Sequence, residues 1–182
     1  MRLFVAVWPD ALTHRTLASL PLEPTTGLRL VRPEQWHVTL RFFGDVEAEV
    51  VPALLAALES VAATEQPVVA QLGPRTAWFG RGAVLQVPVT GLDRLAAAVR
   101  ASTSELVPSR HPGEPPFTGH LTLARSNRRK RPDPPARARL AGVDAACQFA
   151  VTELDLVASE PGPGGHRYSS LGKVSLGGDR TS

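Results

Sequence analysis

The sequence predicts an α+β protein made of two pseudo-symmetric lobes, each an antiparallel sheet with helices packed on its outer face, and a cleft between them. The first observation is that the pattern His-x-Thr-Leu occurs twice, at residues 37–40 and 120–123. The second is that a strand-like run, a helix-like run and a linker precede each copy, starting at Leu3 and at Val84. The third is that proline and glycine fall mostly between these runs, as an ordered fold requires.

The chain length fits one domain. A chain of 182 residues is long enough for one well-buried core and short for two independent ones. We therefore expect a single bilobal domain over residues 1–182, with half-repeats at roughly 1–60 and 80–140 and then a C-terminal hairpin. The lone cysteine, Cys147, excludes an intramolecular disulfide, and the apolar run Leu3–Trp8 is too short for a signal peptide or a membrane span. These features predict a cytoplasmic protein without a membrane partner.

The first half of the chain is predicted to hold three strands and two helices. They are the strand Leu3–Val7, a helix opened by Pro9-Asp10 and closed by Pro21, the strands 27–31 and 36–42, and a helix over 47–62. The first helix is supported by rough helical spacing of Leu12, Arg15, Thr16 and Leu20. The second is the clearest, because apolar residues form one stripe along it and Pro52 fits its first turn.

The second half repeats this alternation and then adds strands. The predicted elements are strands over 67–72, 75–79 and 83–89, a helix from about Leu92 to Leu106, the strand 120–124, a long strand over 147–158 and a last strand over 167–175. Residues 107–119 and 126–136 are rich in proline and are predicted to be loops.

Positive charge is concentrated in one segment. The whole chain carries a formal net charge of +3, whereas the segment 125–139 has seven basic residues against Asp133 alone. The basic residues are Arg125, Arg128, Arg129, Lys130, Arg131, Arg137 and Arg139. Such a local patch attracts phosphate groups, although a solvated loop with no specific partner explains it equally well.

Strand alternation gives the two motif copies a common polar face. Successive side chains of a strand point to opposite faces, so His37 and Thr39 share one face with Arg41, and His120 shares one with Thr122. The apolar residues between them face the core. Two imidazoles across a cleft suit general acid–base catalysis, because one can accept a proton while the other donates one. With two threonine hydroxyls they make four donors for a tetrahedral anion such as phosphate.

Other kinds of site fit this pattern less well. A single His-x-Thr in a strand is more often structural than catalytic, and the duplication is what favours function. A zinc site needs a third or fourth ligand, and no Cys, Asp or Glu stands at strand or helix spacing beside either histidine. A nucleophile-elbow sequence is missing, and Cys147 lies in an apolar pattern that predicts burial. We therefore expect neither a metal nor a nucleophilic side chain.

Four segments in this order resemble those of the 2H phosphoesterases, and among these the RNA 2′,3′-cyclic phosphodiesterases, also called 2′–5′ RNA ligases. The segments are RLFVAVWPD, WHVTLRFFGDV, FTGHLTLAR and SEPGPGGHRYSSLGKVSL. The resemblance spans nearly the whole chain. It implies an enzyme that hydrolyses a terminal 2′,3′-cyclic phosphate on RNA or nucleotides to a 2′-phosphate without metal or cofactor, with a weak reverse reaction that makes 2′–5′ linkages.

The resemblance also implies roles for single residues. His120 would deprotonate the attacking water and His37 would protonate the departing 3′-oxygen, although the sequence leaves the assignment of acid and base open. Thr39 and Thr122 would bind the phosphate. Arg125 matches the family's arginine after the second motif and is a possible RNA or phosphate contact. Strict alternation places it on the apolar face, so it can bind phosphate only if the strand ends near Ala124.

Arg41 has no such counterpart in the family, which often has a small or apolar residue there. Because it shares the face of His37, an RNA-backbone contact remains one interpretation. His111, His166, Tyr168 and Trp78 are further candidates for lining the cleft or stacking on a base, although packing explains the two aromatic residues equally well.

Two other functions remain open from sequence. The chain could be a 2H phosphoesterase acting on another cyclic or 2′-phosphate nucleotide of tRNA processing, or a non-catalytic protein that binds RNA ends. Two intact motif copies favour catalysis, because a binding protein has no need of two proton-transfer groups. The expected partner is RNA or a nucleotide with a 2′,3′-cyclic phosphate end. No long amphipathic element indicates an obligate oligomer, so we expect a monomer.

Overall fold

The computed structural model of the protein describes residues 1–23, 25–79, 82–108, 116–127, 132–162 and 165–177. Within these segments the chain forms ten strands and four α-helices. The strands are β1 (Arg2–Val7), β2 (Leu28–Leu30), β3 (Val38–Asp45), β4 (Val68–Leu72), β5 (Ala77–Phe79), β6 (Val84–Thr90), β7 (His120–Ser126), β8 (Cys147–Val151), β9 (Glu153–Gly162) and β10 (Gly165–Ser175). The helices are α1 (Ala11–Ala18), α2 (Val51–Thr64), α3 (Asp93–Thr103) and α4 (Pro134–Leu140).

The strands form one curled antiparallel sheet. Their order is β10-β9-β1-β3-β7-β6-β4-β8, with β2 added to β7 and β5 added to β6. The two halves of this order meet where β3 and β7 pair through Val38 and Leu121, and both of these side chains are fully buried. The predicted α+β class with antiparallel sheets is confirmed. Each copy of the His-x-Thr-Leu motif therefore lies at the junction of the two halves.

Helices bury one face of the sheet. α2 packs on α3 and on strands β9 and β10, while α3 also contacts β3 and α1 contacts β8. α1 is N-capped by Asp10, whose carboxylate accepts a hydrogen bond of 2.7 Å from the Thr13 amide. Its buried residues are Thr13 and Leu17, whereas Leu12 is 61% exposed, so its buried face differs from the predicted spacing. No helix in the described segments is long and apolar enough to cross a membrane.

Three predicted elements have different bounds. A short 3-10 turn at Pro33–Gln35 delays the start of β3, so His37 directly precedes the strand rather than lying within it. The predicted strand over 147–158 is two strands, because β8 pairs with β4 and β9 pairs with β1. The predicted loop over 126–136 contains the start of α4, where Asp133 caps the helix and prolines occupy the first turn, which needs no proline N–H.

Matching irregularities occur in the two motif strands. In β3, Thr39 pairs with Ala6 and Arg41 with Val5, so Leu40 is an extra residue in the ladder. In β7, Thr122 pairs with Gln86 and Ala124 with Leu85, so the leucine after the second threonine is also extra. Such a β-bulge reverses the alternation of the residues that follow it. The residue two positions after each threonine therefore faces the core, and the next one faces the cleft.

Candidate active site

A cleft of about 410 Å³ opens on the sheet face opposite the buried leucines of the motifs. His37, Thr39 and Thr122 line it. His120 is half-buried at the first position of β7 and does not line this cavity itself, but its charge acts on His37. Because β3 and β7 run antiparallel through the central pair Val38–Leu121, extending their register sets His37 opposite Thr122 and Thr39 opposite His120.

Both imidazoles are held in the same way. His37 Nδ1 lies 2.7 Å from the carbonyl oxygen of Gln35, and His120 Nδ1 lies 2.8 Å from that of Thr118. A carbonyl oxygen only accepts, so Nδ1 carries the proton and donates it in each case. The neutral form of each ring therefore keeps its lone pair on Nε2. Each Nε2 is the atom available for proton transfer.

His37 is enclosed by aromatic rings. Its ring centroid lies 5.0 Å from that of Phe4, 5.3 Å from that of Trp8 and 5.2 Å from that of Tyr168. This burial lowers the pKa of His37 to about 4, and the charges of Arg125 and His120 act in the same direction. The hydrogen bond to Gln35 opposes the change but does not offset it. His37 is therefore neutral near pH 7 when the cleft holds no anion.

A buried carboxylate supports this aromatic enclosure. Asp155 is only 3% exposed and accepts hydrogen bonds from the Trp8 indole N–H, at 2.9 Å, and from the Ser170 hydroxyl, at 2.6 Å. Trp8 directly follows β1, and Ser170 lies in β10, the strand that also carries Tyr168. The side chain of Asp155 thus fixes the orientation of the indole that packs on the catalytic candidate.

His120 has a different environment. Its ring stacks on Phe79 with centroids 5.0 Å apart and an interplanar angle of 23°. The preceding residue, Gly119, brings β7 close to β6: a Cβ there would lie 2.3 Å from the carbonyl oxygen of Val89, while the Val89 amide donates to the Gly119 carbonyl at 2.9 Å. Only glycine fits this approach, which fixes the start of the strand that carries His120.

The cleft is strongly cationic. Four arginines line it, and no carboxylate is among the lining residues in the part of the chain that the structure describes. The four are Arg2, Arg29, Arg32 and Arg125. Arg125, the possible phosphate contact, lines the cleft because the bulge in β7 reverses the alternation. The strand does not end near Ala124 as that contact was expected to require, since β7 continues to Ser126. Such a site favours an anionic ligand.

Arg41 was expected on the cleft face, but the structure buries it. The bulge at Leu40 turns Arg41 away from His37, and its side chain is buried. Its guanidinium donates to the Thr103 hydroxyl and, at 2.7 Å, to the Val107 carbonyl near the end of α3. The prediction that Arg41 contacts RNA is therefore wrong. Phe42 takes its place, lining the cleft with 49% of its surface exposed.

The C-terminal hairpin supplies cleft residues that the sequence left undecided. His166 and Tyr168 line the cavity together with Ser159, whose hydroxyl lies 2.9 Å from His166 Nδ1. The side-chain amide of Gln35 donates to the His166 carbonyl, which ties this hairpin to the segment before His37. Arg2, Arg29 and Gln35 were missed, because none of them belongs to the His-x-Thr-Leu pattern from which the cleft residues were predicted.

Other candidates lie elsewhere. Trp78 packs under the guanidinium of Arg137, 4.5 Å from its centroid, and donates to the Arg137 carbonyl. His111 and the four basic residues 128–131 are outside the described residues. Within the described segments, no three His, Cys, Asp or Glu side chains come close enough to hold a metal ion.

Comparison with known proteins gives consistent matches. The family model described as the 2′-5′ RNA ligase superfamily matches residues 9–163, which include both motif copies. An RNA 2′,3′-cyclic phosphodiesterase of Thermus thermophilus is 34% identical, with 98% of this chain and 92% of the relative covered.

Solved structures agree in fold. The crystal structure of TT0787 of Thermus thermophilus has a TM-score of 0.83 and 33% identity, and the match covers 98% of this chain and all of that one. The crystal structure of E. coli LigT complexed with 3′-AMP has a TM-score of 0.73 and 27% identity, with 96% of this chain and 97% of that chain covered. The similarity therefore includes both halves of the sheet.

Proposed function

The chain belongs to the 2′-5′ RNA ligase superfamily, and from this premise we propose that it hydrolyses a 2′,3′-cyclic phosphate of RNA or of a nucleotide to a 2′-phosphate. It is an enzyme of the phosphodiesterase class. The observation that carries the proposal is the antiparallel pairing of Val38 with Leu121, because extending this register sets each histidine opposite the other motif's threonine. In this proposal a single phosphate lies between the strands, where it contacts Thr39, Thr122 and His37 from the cleft and His120 from the neighbouring strand end.

The two imidazoles divide the proton transfers. His120 Nε2 takes a proton from water as its oxygen attacks phosphorus, and His37 Nε2–H gives a proton to the 3′-oxygen as its bond to phosphorus breaks. The products are a 2′-phosphate and a free 3′-hydroxyl, with the proton now on His120 and His37 neutral. Each transfer contributes about 10²–10⁴ to the rate.

The low pKa of His37 fits the acid role once the substrate is present. Without a bound anion the ring is neutral, because burial and the positive charge of Arg125 disfavour its charged form. An anionic phosphate between the strands reverses that balance and draws a proton onto Nε2. The acid is thus charged only when there is a leaving oxygen to protonate.

The hydroxyls and the arginine stabilise the charge of the transition state. Thr39 and Thr122 line the cleft on neighbouring strands and can donate to the non-bridging oxygens, where negative charge grows during the attack. Arg125 lines the same cavity and adds a bidentate donor. The same site gives a weak ligation when the 5′-hydroxyl of a second RNA replaces water, which leaves a 2′–5′ phosphodiester.

The test is a turnover assay in the presence of EDTA. We expect the purified protein to convert 2′,3′-cyclic AMP, or a short RNA ending in a cyclic phosphate, to the 2′-phosphate, identified against 2′- and 3′-phosphate standards. Arg94→Gln serves as a control variant, because it removes a positive charge on α3, on the helix-covered face of the sheet. It should leave turnover unchanged. Binding without turnover would instead indicate the RNA-end-binding function, and a 3′-phosphate product would contradict the direction of opening.

A further inference from the structure

The carbonyl group that holds His37 belongs to a residue outside the sheet. Gln35 ends the 3-10 turn Pro33–Gln35, and β3 begins only at Val38. The hydrogen bonds of the turn use the amides of Gln35 and Trp36, whereas the Gln35 carbonyl accepts from His37 Nδ1 at 2.7 Å. The pairing of β3 with its neighbours starts after this peptide group, so it does not set the direction of the carbonyl.

The side chain of Gln35 anchors the turn to β10. Its amide donates to the main-chain carbonyl of His166, and both residues line the cleft. The position of His166 is itself fixed, because its ring Nδ1 lies 2.9 Å from the Ser159 hydroxyl and the strand around it pairs with β9. A Cβ at the neighbouring Gly165 would lie 2.3 Å from Arg29 Nη1, so the Arg29 side chain packs closely against the same end of β10.

β10 also contacts the His37 ring directly. Tyr168 lies two residues after His166, and its ring meets that of His37 edge-on, with centroids 5.2 Å apart and an interplanar angle of 88°. One strand therefore acts on His37 in two ways. It restricts the plane of the ring through Tyr168, and it reaches the Nδ1 proton through Gln35.

The second catalytic candidate is held by other means. His120 Nδ1 lies 2.8 Å from the Thr118 carbonyl oxygen, as in the first motif. The backbone beside it is fixed by the close approach of Gly119 to Val89, whose amide donates to the Gly119 carbonyl at 2.9 Å. A change in the Gln35 side chain should therefore act on His37 and leave His120 as it is.

We propose that Gln35 is a positioning residue: its side-chain amide, anchored on the His166 carbonyl, aims the Gln35 main-chain carbonyl at His37 Nδ1 and so keeps Nε2 turned towards the reacting phosphate. A neutral imidazole carries its proton on either nitrogen, and the hydrogen bond made by one nitrogen decides which. If the carbonyl moves away, the proton can shift to Nε2 and the ring can rotate. The role in turnover rests on the proposed function, whereas the tautomer of His37 is a property of the protein without ligand.

The first test is the tautomer of His37 in the ligand-free protein at mildly alkaline pH, from the ring-nitrogen NMR chemical shifts. We expect the proton on Nδ1 in the wild type. Gln35→Met keeps the side-chain length but has no donor, and Gln35→Glu keeps the shape but sets an acceptor against the His166 carbonyl. Both variants should show a mixture of His37 tautomers, while His120 in the same molecule keeps its proton on Nδ1. Arg167→Gln, an exposed change beside His166, should alter neither ring.

The second test is the division of the effect between kcat and KM. With 2′,3′-cyclic AMP, both Gln35 variants should lower kcat about tenfold to a hundredfold and change KM less than about threefold, because a misplaced imidazole impairs proton transfer rather than phosphate binding. Gln35→Asn keeps the amide donor on a shorter side chain and should recover part of kcat. Arg167→Gln should show wild-type kinetics.

An unchanged His37 tautomer in folded Gln35→Met and Gln35→Glu would overturn the inference, even if kcat falls. A raised KM with the wild-type tautomer would show that Gln35 contacts the substrate instead, and a mixed tautomer with wild-type kcat would show that this positioning has no effect on turnover. Equal changes at His37 and His120 would make the role of Gln35 a general structural one. If the wild type turns over no substrate, the proposed function fails, and the tautomer comparison still decides whether Gln35 positions His37.

Discussion

Inorganic phosphate should control the charge of His37. In the ligand-free protein, burial among Phe4, Trp8 and Tyr168 and the charge of Arg125 lower the pKa of this imidazole to about 4. A phosphate bound between the motif strands is the opposite charge that the cleft lacks. Adding phosphate at constant pH should therefore protonate His37 without any change in the fold.

The size of the effect follows from Coulomb's law. A unit negative charge about 4 Å from the imidazolium, at an effective dielectric constant of about 20, stabilises the charged ring by about 4 kcal/mol. That energy is equivalent to about a thousandfold tighter proton binding, at 1.36 kcal/mol per tenfold. It returns the pKa of His37 to the ordinary range of histidine, where a general acid works best at neutral pH.

The measurement is a pH titration of the histidine ring nitrogens by NMR, with and without saturating phosphate and with chloride at matched ionic strength as the control. His37→Gln assigns the signal, because the resonances of one ring then disappear. We expect His37 to titrate near pH 4 in chloride and about three pH units higher in phosphate.

Two outcomes would refute this reasoning. If His37 titrates in its ordinary range in chloride, its burial among the aromatic rings is not sufficient to lower its pKa. If its titration is the same in both anions while phosphate demonstrably binds, the phosphate lies elsewhere, and the acid role of His37 loses its physical basis.

Four further outcomes are expected. As the pH falls from 6.5 to 4, the free energy of unfolding should fall by about 3 kcal/mol more in the wild type than in His37→Gln. The reason is that the pKa of His37 is lower in the folded state, so the unfolded chain binds the proton first. Equal falls in the two proteins, measured by urea denaturation, would contradict this. His120→Ala should lower kcat at least a hundredfold with an unchanged circular dichroism spectrum, and loss of the folded spectrum would make the histidine structural. Thr122→Val, which keeps the side-chain shape, should lower kcat/KM about tenfold or more in the turnover assay, and wild-type kinetics would remove its hydroxyl from the mechanism. Arg41→Met should lower the free energy of unfolding by about 2–4 kcal/mol, measured by urea denaturation, with little change in KM. A raised KM with unchanged stability would instead indicate that Arg41 contacts the substrate.

Features that depend on local periodicity could be predicted from the sequence. Predictions of side-chain direction were wrong where the hydrogen-bond pairing of the strands is irregular. His37 and Thr39 were assigned correctly to one face because alternation holds up to the bulge. Beyond it, strict alternation put Arg41 on the cleft face, and it put Arg125 on the apolar face unless the strand ended first. The structure instead buries Arg41 and places Arg125 in the cleft. A bulge depends on how a strand pairs with its neighbour, so one strand's sequence does not reveal it. α4 was missed for a similar reason, since its prolines indicate a loop unless Asp133 is known to cap a helix.

The paired bulges also explain how a duplicated motif can make an asymmetric site. Both copies expose the third residue after threonine to the cleft, but this residue is Phe42 in one strand and Arg125 in the other. Both copies bury the second residue, which is Arg41 in one and Ala124 in the other. One motif strand thus presents a flat apolar ring and the other a cation. A nucleotide has the same asymmetry, with a base that stacks and a phosphate that pairs. The double exchange Phe42→Arg with Arg125→Phe should therefore keep the fold. It should reduce activity far more than the summed effects of substitutions at two ordinary exposed positions.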